Sequence, residues 1–127
     1  EILKFCQQKQ LKQVIYTLNT NLIAKKTLKK IKILKYFDFI VGRDDVSNPK
    51  PHKDHLMYIY NKLNLSNNEL LIIGDNPRDI IGANNIGAPS IGILTNRHTK
   101  KDLEGANYII KQKKTSDDLK EAIKTFL

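Results

Sequence analysis

Short apolar runs alternate with helical patterns along the chain, and this alternation most limits the folds available to it. Strand-like runs occur at Val14–Tyr16, Phe39–Val41, Leu70–Ile73, Ser90–Leu94 and Tyr108–Ile110. Most are separated by segments whose apolar residues recur three or four positions apart, as in an amphipathic helix. Parallel strands need such crossover connections, so the pattern predicts an α/β fold, a mostly parallel sheet with helices on both faces. We expect one three-layer domain over residues 1–127.

The helical segments have recognisable ends. The pattern predicts that residues 1–10 form the end of a helix, and it predicts further helices over 21–34, over 52–63, over Asp79–Ile86 and over Ser116–Leu127. Gly87 is typical of the residue that follows a helix, because glycine adopts the left-handed conformation readily. Ser116 or Asp117 is expected to cap the last helix at its N-terminus.

Polar loops follow the predicted strands, and in an open parallel sheet such loops share one edge where ligands bind. Four segments belong to this edge: Thr17–Asn21, Gly42–Pro51, Asp75–Arg78 and Thr95–Thr99. The sequence therefore directs attention to their polar side chains.

Asp75 and Asp79 are the most informative of these side chains. Two carboxylates four residues apart at a strand end repel each other unless a hard cation such as Mg²⁺ or a basic partner neutralises them. The alternative is structural, with Asp79 capping a helix and Asp75 in a turn. The segment by itself does not decide between a metal site and a helix cap.

Lys50 and a threonine of the first loop, Thr17 or Thr20, add the other groups that phosphoryl transfer requires. An ammonium group offsets charge on phosphoryl oxygens, a hydroxyl orients the group, and carboxylates hold Mg²⁺. Pro49 and Pro51 restrict the backbone on either side of Lys50. Together these residues favour a phosphoryl-transfer site.

The net charge of +9 raises the alternative of nucleic-acid binding. The densest group of lysines, however, surrounds a predicted helix and interleaves with its apolar stripe, without aromatic stacking platforms. Its members are Lys25, Lys26, Lys29, Lys30, Lys32 and Lys35. We therefore favour a solvated helix face, and regard nucleic-acid binding as the weaker hypothesis.

Composition, the single cysteine and the first residues of the chain limit the class of protein further. Hydrophobic residues make up 40% of the 127, which supports a globular core, and no apolar stretch approaches the ~18 residues of a membrane helix. The single cysteine, Cys6, suits a reducing, cytoplasmic compartment and is expected to be buried as a small hydrophobe. The first residues do not have the pattern of a secretory signal, and the lack of an initiator Met favours a fragment or a processed piece of a longer protein.

Four segments resemble haloacid-dehalogenase-like hydrolases, closest to the phosphoglycolate-phosphatase-like branch. They are Tyr36–Val46, Lys50–Asp54, Gly74–Ile80 and Ala83–Ala88. The resemblance covers essentially the whole chain and implies a Rossmann-like core. It also implies a phosphatase that uses Mg²⁺ and forms an aspartyl-phosphate intermediate on a small phosphorylated metabolite.

The resemblance further implies individual roles. Thr17, Leu18 and Lys50 would bind the phosphoryl group, with Thr17 and Lys50 also serving in catalysis. Asp75 and Asp79 would hold Mg²⁺. Thr20 is an alternative to Thr17, although the separation along the sequence from Tyr36-Phe37 favours Thr17.

The chain departs from the family pattern in one respect. The family's nucleophile is the first aspartate of an Asp-x-Asp motif, and neither this motif nor the cap insert is present in these residues. We expect this chain to be inactive by itself, and a missing N-terminal segment or a second chain to complete the sheet with a strand between those at Val14 and Leu70. A non-catalytic module that binds phosphate or Mg²⁺ is the alternative.

Overall fold

A computed structural model describes residues 1–66, 68–111 and 115–127, the side chain of Thr115 excepted. The chain divides into two compact units, Glu1–Leu63 and Asn64–Leu127, which we call the N-terminal and C-terminal units. The described strands form two parallel sheets, one in each unit. Parallel pairing, an α/β fold and an incomplete sheet are therefore confirmed, since the described strands pair as β1-β2 and as β3-β4-β5.

The N-terminal unit is built around a two-stranded sheet. Its elements are α1 (Ile2–Gln8), β1 (Val14–Tyr16), α2 (Asn21–Lys30), β2 (Phe39–Val41) and α3 (Lys53–Leu63), with 3₁₀ turns at Leu34–Tyr36 and Arg43–Asp45. β1 and β2 are in register from Val14 opposite Phe39 to Tyr16 opposite Val41. The buried apolar side chains are Cys6, Ala24, Ile40, Val41, Leu56, Ile59 and Tyr60.

The C-terminal unit is built around a three-stranded sheet in the order β3-β4-β5. Its elements are β3 (Ile72–Gly74), α4 (Pro77–Asn85), β4 (Ser90–Leu94), β5 (Tyr108–Lys111) and α5 (Thr115–Lys124). Ile91, in the central strand β4, is fully buried. The other buried apolar side chains are Ile72, Ile80, Ala83, Ala88, Leu103, Ile110, Leu119, Ala122 and Ile123.

Helix α2 is shorter than predicted, since it ends at Lys30 instead of continuing to residue 34. Lys32 adopts a left-handed conformation with φ of 64°, and the Ile33 amide donates back to the Leu28 carbonyl at 3.0 Å. This is the geometry of a helix C-terminus, usually marked by glycine. A lysine in that position carries no sequence signal, so the end was not predictable.

The start of α4 also differs from the prediction. The helix begins at Pro77 with Asn76 as its N-cap, two residues before Asp79, and β3 covers Ile72–Gly74 rather than Leu70–Ile73. Gly87 follows the helix with φ of 69°, as predicted.

Helix α5 begins at Thr115, so Ser116 and Asp117 lie in its first turn and do not cap it. Within the described ranges, no helix has the length and apolar character needed to cross a bilayer.

Candidate functional site

Thr17 lies at the carboxyl end of β1, where the prediction placed it. Its amide donates to the Val41 carbonyl at 3.0 Å and so continues the pairing with β2 by one residue. Its hydroxyl accepts a hydrogen bond from the Asn19 amide at 3.1 Å. The backbone then turns through Leu18, which is half-buried and has only backbone groups with which to bind an anion. Thr20, the alternative, caps α2 and accepts from the Ile23 amide.

The loop after β1 is fastened to the loop after β2 by a set of hydrogen bonds. The Asn21 side chain donates to the Ile40 carbonyl at 2.9 Å and to the Asp45 carboxylate at 2.7 Å. Asp45 also accepts from the Gly42 amide at 2.7 Å, and Asp44 accepts from the Asn21 amide at 2.8 Å. These two acidic side chains therefore act in holding the loops together.

Lys50 comes from the second of these loops and reaches the end of β1. Its Nζ lies 3.4 Å from the Tyr16 carbonyl oxygen and 4.3 Å from the centre of the Tyr16 ring. Because Tyr16 directly precedes Thr17, the structure brings the predicted ammonium and the predicted hydroxyl to the same strand end. A cation over an aromatic face is stabilised by the ring's negative face.

His55 is a residue that sequence reasoning missed. Its imidazole is completely buried in α3, with Nδ1 3.0 Å from the Lys50 amide nitrogen and Nε2 3.1 Å from the Val41 carbonyl oxygen. An amide N–H can only donate, so Nδ1 accepts and the ring proton resides on Nε2, from which it is donated to Val41. The signal was available, because His55 is four residues before Ile59 on the buried stripe of α3.

In the C-terminal unit, Asp75 and Asp79 lie on either side of the start of α4. Asp75 follows β3 and is exposed, whereas Asp79 is only 4% exposed. Asp79 Oδ2 accepts from the Asn76 amide at 3.3 Å, while the Asn76 side chain accepts from the Arg78 amide at 3.0 Å. This is a capping box, in which Asp79 is the third helical residue rather than the cap itself.

Gly74 allows Asp79 to take this position. A Cβ added at Gly74 would come within 2.5 Å of both Cβ and Cγ of Asp79. The carboxylate therefore lies directly against the last residue of β3, where only glycine leaves room.

The carboxylates of Asp75 and Asp79 have the chemistry that Mg²⁺ requires, since that ion prefers oxygen ligands. Across residues 1–66, 68–111 and 115–127, no group of three or more His, Cys, Asp or Glu side chains could hold a metal ion. Mg²⁺ is commonly bound through one or two carboxylates with waters and phosphate oxygens completing its shell. An exposed Asp75 and a buried Asp79 at the start of one helix fit a site in which the protein supplies only these two carboxylates.

The family of the chain follows from its sequence pattern. The pattern of haloacid dehalogenase-like hydrolases matches residues 1–93, well over half of the chain. The chain therefore belongs to the haloacid dehalogenase-like hydrolase family.

Particular relatives point to one branch of that family. The phosphoglycolate phosphatase of Escherichia coli (strain K12) is 38% identical over 66 residues, which are 52% of this chain and 26% of the relative. Among solved structures, a predicted phosphatase from Clostridium acetobutylicum superposes with a TM-score of 0.81 and 28% identity, covering 98% of this chain and 57% of the other. The HAD phosphatase from Thermococcus onnurineus gives 0.81 and 25%, covering 96% and 54%.

These similarities confirm the resemblance to the phosphoglycolate-phosphatase-like branch and the Rossmann-like α/β fold. The chain spans little more than half the length of the solved relatives, and its match to the E. coli enzyme spans about a quarter of that protein.

Proposed function

We propose that this chain supplies the phosphate-binding and Mg²⁺-binding residues of a phosphatase that acts on small phosphorylated metabolites. The observation that carries the proposal is the position of Lys50, whose ammonium lies 3.4 Å from the Tyr16 carbonyl, beside Thr17. A positive charge and a hydroxyl at one strand end form a suitable cradle for a phosphoryl group. We also propose a cytoplasmic location, because a single cysteine suits a reducing compartment.

Each residue has a distinct part in this function. The Lys50 ammonium offsets the charge on the phosphoryl oxygens, while the Thr17 hydroxyl and the Leu18 amide donate hydrogen bonds to them. Asp75 and Asp79 would hold Mg²⁺, which when bound neutralises negative charge on the substrate.

The nucleophile of the proposed reaction is an aspartate that these 127 residues do not supply. They contain no Asp-x-Asp motif. Covalent catalysis through an aspartyl-phosphate requires that carboxylate. The chain by itself is therefore expected to bind phosphate without turning over a phosphate ester.

Calorimetric titration of the 127-residue chain with inorganic phosphate in the presence of Mg²⁺ tests the phosphate site. We expect binding in the wild type, loss of that binding in Lys50→Ala, and wild-type binding in Lys53→Ala. Lys53 is the matched control because it is an exposed lysine three residues further along the same segment. Equal phosphate affinity in Lys50→Ala and the wild type would contradict the site.

The metal residues are tested separately by titration with Mg²⁺ alone. Asp75→Asn is expected to weaken Mg²⁺ binding with little change in stability, since Asp75 is exposed. Asp79→Asn is expected to weaken binding and also to lower stability, since Asp79 belongs to the capping box.

Two further measurements, turnover of p-nitrophenyl phosphate and binding of nucleic acid, test the site assignment and the rival hypothesis. Mg²⁺-dependent turnover by this chain that survives Asp75→Ala would place the chemistry elsewhere. Binding of DNA or RNA that weakens steeply with salt would instead favour the nucleic-acid hypothesis raised by the net charge of +9.

A further inference from the structure

We propose that His55 is a positioning residue for Lys50, and that its imidazole sets where the Lys50 backbone stands relative to strand β2. The inference rests on the proposed function, because it concerns the same phosphate-binding lysine. It assigns a role to a buried side chain that does not itself touch the phosphate.

The imidazole joins two parts of the backbone that are otherwise separated by a polar loop. Val41 is the last residue of β2, and Lys50 lies nine residues later. Nε2 of His55 donates to the Val41 carbonyl at 3.1 Å, and Nδ1 accepts from the Lys50 amide at 3.0 Å. One rigid ring thus fixes the end of the loop against the end of the strand.

The ring is held in a single orientation. His55 is fully buried in α3, and the Tyr16 ring meets it edge-on with centroids 5.2 Å apart and planes at 81°. Both ring nitrogens have a defined partner of opposite hydrogen-bonding type, so rotating the ring by half a turn would break both bonds. This arrangement specifies one tautomer and one position.

Tyr16 constrains the other end of the same lysine. The Lys50 ammonium lies 4.3 Å from the Tyr16 ring centre and 3.4 Å from its carbonyl oxygen. A lysine side chain is flexible, with four carbons between the backbone and the charge. Fixing the amide through His55 and the ammonium through Tyr16 restricts this flexibility before phosphate arrives, which favours binding.

Three substitutions separate the two hydrogen bonds of His55. The oxygen of His55→Asn stands as many bonds from Cα as Nδ1, so it can accept from the Lys50 amide. The nitrogen of His55→Gln stands as many bonds from Cα as Nε2, so it can donate to Val41 but leaves Lys50 without that acceptor. His55→Leu provides neither group.

The readout is the affinity of the 127-residue chain for inorganic phosphate in Mg²⁺, measured by calorimetry. We expect His55→Gln and His55→Leu to weaken binding about tenfold, as for the loss of one hydrogen bond, and His55→Asn, which keeps the bond to the Lys50 amide but loses the bond to Val41, to weaken it by less. His52→Asn is the matched control, because the exposed His52 precedes α3 and asparagine can still accept from the Asp54 amide. Wild-type affinity in His55→Gln and His55→Leu would overturn the inference.

Nitrogen NMR of the wild type tests the contact without any substitution, which matters if a variant does not fold. We expect an unprotonated Nδ1, a protonated Nε2 and slow solvent exchange of the Lys50 amide. The opposite tautomer, or a rapidly exchanging Lys50 amide, would overturn the inference.

The same measurements keep the two proposals apart. If the wild type binds no phosphate, the proposed function fails, and the NMR signature still decides whether His55 fixes Lys50. If Lys50→Ala abolishes binding but the His55 variants do not change it, the proposed function stands and the inference fails.

Discussion

The side-chain amide of Asn21 donates a hydrogen bond to the Asp45 carboxylate at 2.7 Å and thereby joins the loops that follow β1 and β2. Asn21→Asp places a third carboxylate between Asp44 and Asp45 and removes the donor. We expect the free energy of unfolding to fall by about 1–3 kcal/mol, since charge repulsion and the loss of the side-chain hydrogen bonds to Ile40 and Asp45 both oppose folding. Chemical denaturation measures this change.

Asn19→Asp serves as the control for that measurement. It adds the same charge to the same loop, but the Asn19 side chain is exposed. A loss of stability as large as that of Asn21→Asp would show that added charge, and not the Asn21–Asp45 hydrogen bond, is responsible.

Gly74→Ala is expected to destabilise the C-terminal unit. Its Cβ would lie within 2.5 Å of two Asp79 carbons, so β3 or the start of α4 would have to move. Overpacking of this kind costs about 1–3 kcal/mol, measured as a lower free energy of unfolding. Gly87→Asn is the control, because Gly87 has open space around it and asparagine tolerates its φ of 69°. Equal losses would argue against the contact with Asp79.

Asp102 is expected to titrate below the usual range of an aspartate. The Thr99 amide donates to Asp102 Oδ2 at 2.8 Å, and this bond, followed by that of the Thr99 hydroxyl, lowers the pKa of the carboxyl. A lowered folded-state pKa stabilises the protein above the unfolded value, and this contribution disappears as the pH falls through the folded pKa. Carbon NMR of the Asp102 carboxyl measures the pKa directly.

Substitutions at Thr99 identify the cause of the Asp102 shift. Thr99→Ala removes the hydroxyl and is expected to raise the Asp102 pKa towards its usual range, whereas Thr99→Ser keeps the hydroxyl and the low pKa. An unchanged pKa in Thr99→Ala would assign the whole effect to the backbone amide and the neighbouring His98.

Cys6 is expected to react slowly with iodoacetamide in the folded protein. Burial raises the pKa of its thiol, and the thiolate is the reactive form. The rate should increase when the chain is unfolded in denaturant, and mass spectrometry gives an unambiguous answer because Cys6 is the sole cysteine. Equal rates in the folded and unfolded chain would contradict its burial.

Much of the fold was predictable because local patterns and tertiary structure agree. Val14–Tyr16, Phe39–Val41 and Ser90–Leu94 form strands with the predicted bounds, since each is a short apolar run followed by turn residues. Burial of Cys6 is confirmed as well. Gly87 follows α4 as predicted.

Other features depend on contacts that sequence patterns do not report. The left-handed Lys32 ends α2 without a glycine. Asn76 rather than Asp79 caps α4, and the sequence does not distinguish the two because either side chain can serve at a helix start. The role of His55 depends on two backbone groups, at Val41 and Lys50, that are distant in sequence. The placement of Thr17, Lys50, Asp75 and Asp79 in the segments that follow strands was predictable, whereas their functional roles remain predictions.

The close approach of Asp79 to Gly74 has a consequence for how this sequence can vary. Since the missing side chain at one position makes room for the carboxylate at the other, the two positions are not independent under mutation. In a saturation library covering both, side chains larger than glycine at position 74 should survive selection mainly in clones that carry glycine at position 79, because every other residue there keeps the Cβ that a side chain at position 74 would meet. Those clones would lose the buried carboxylate, so selection for Mg²⁺ binding should recover glycine and aspartate as a pair.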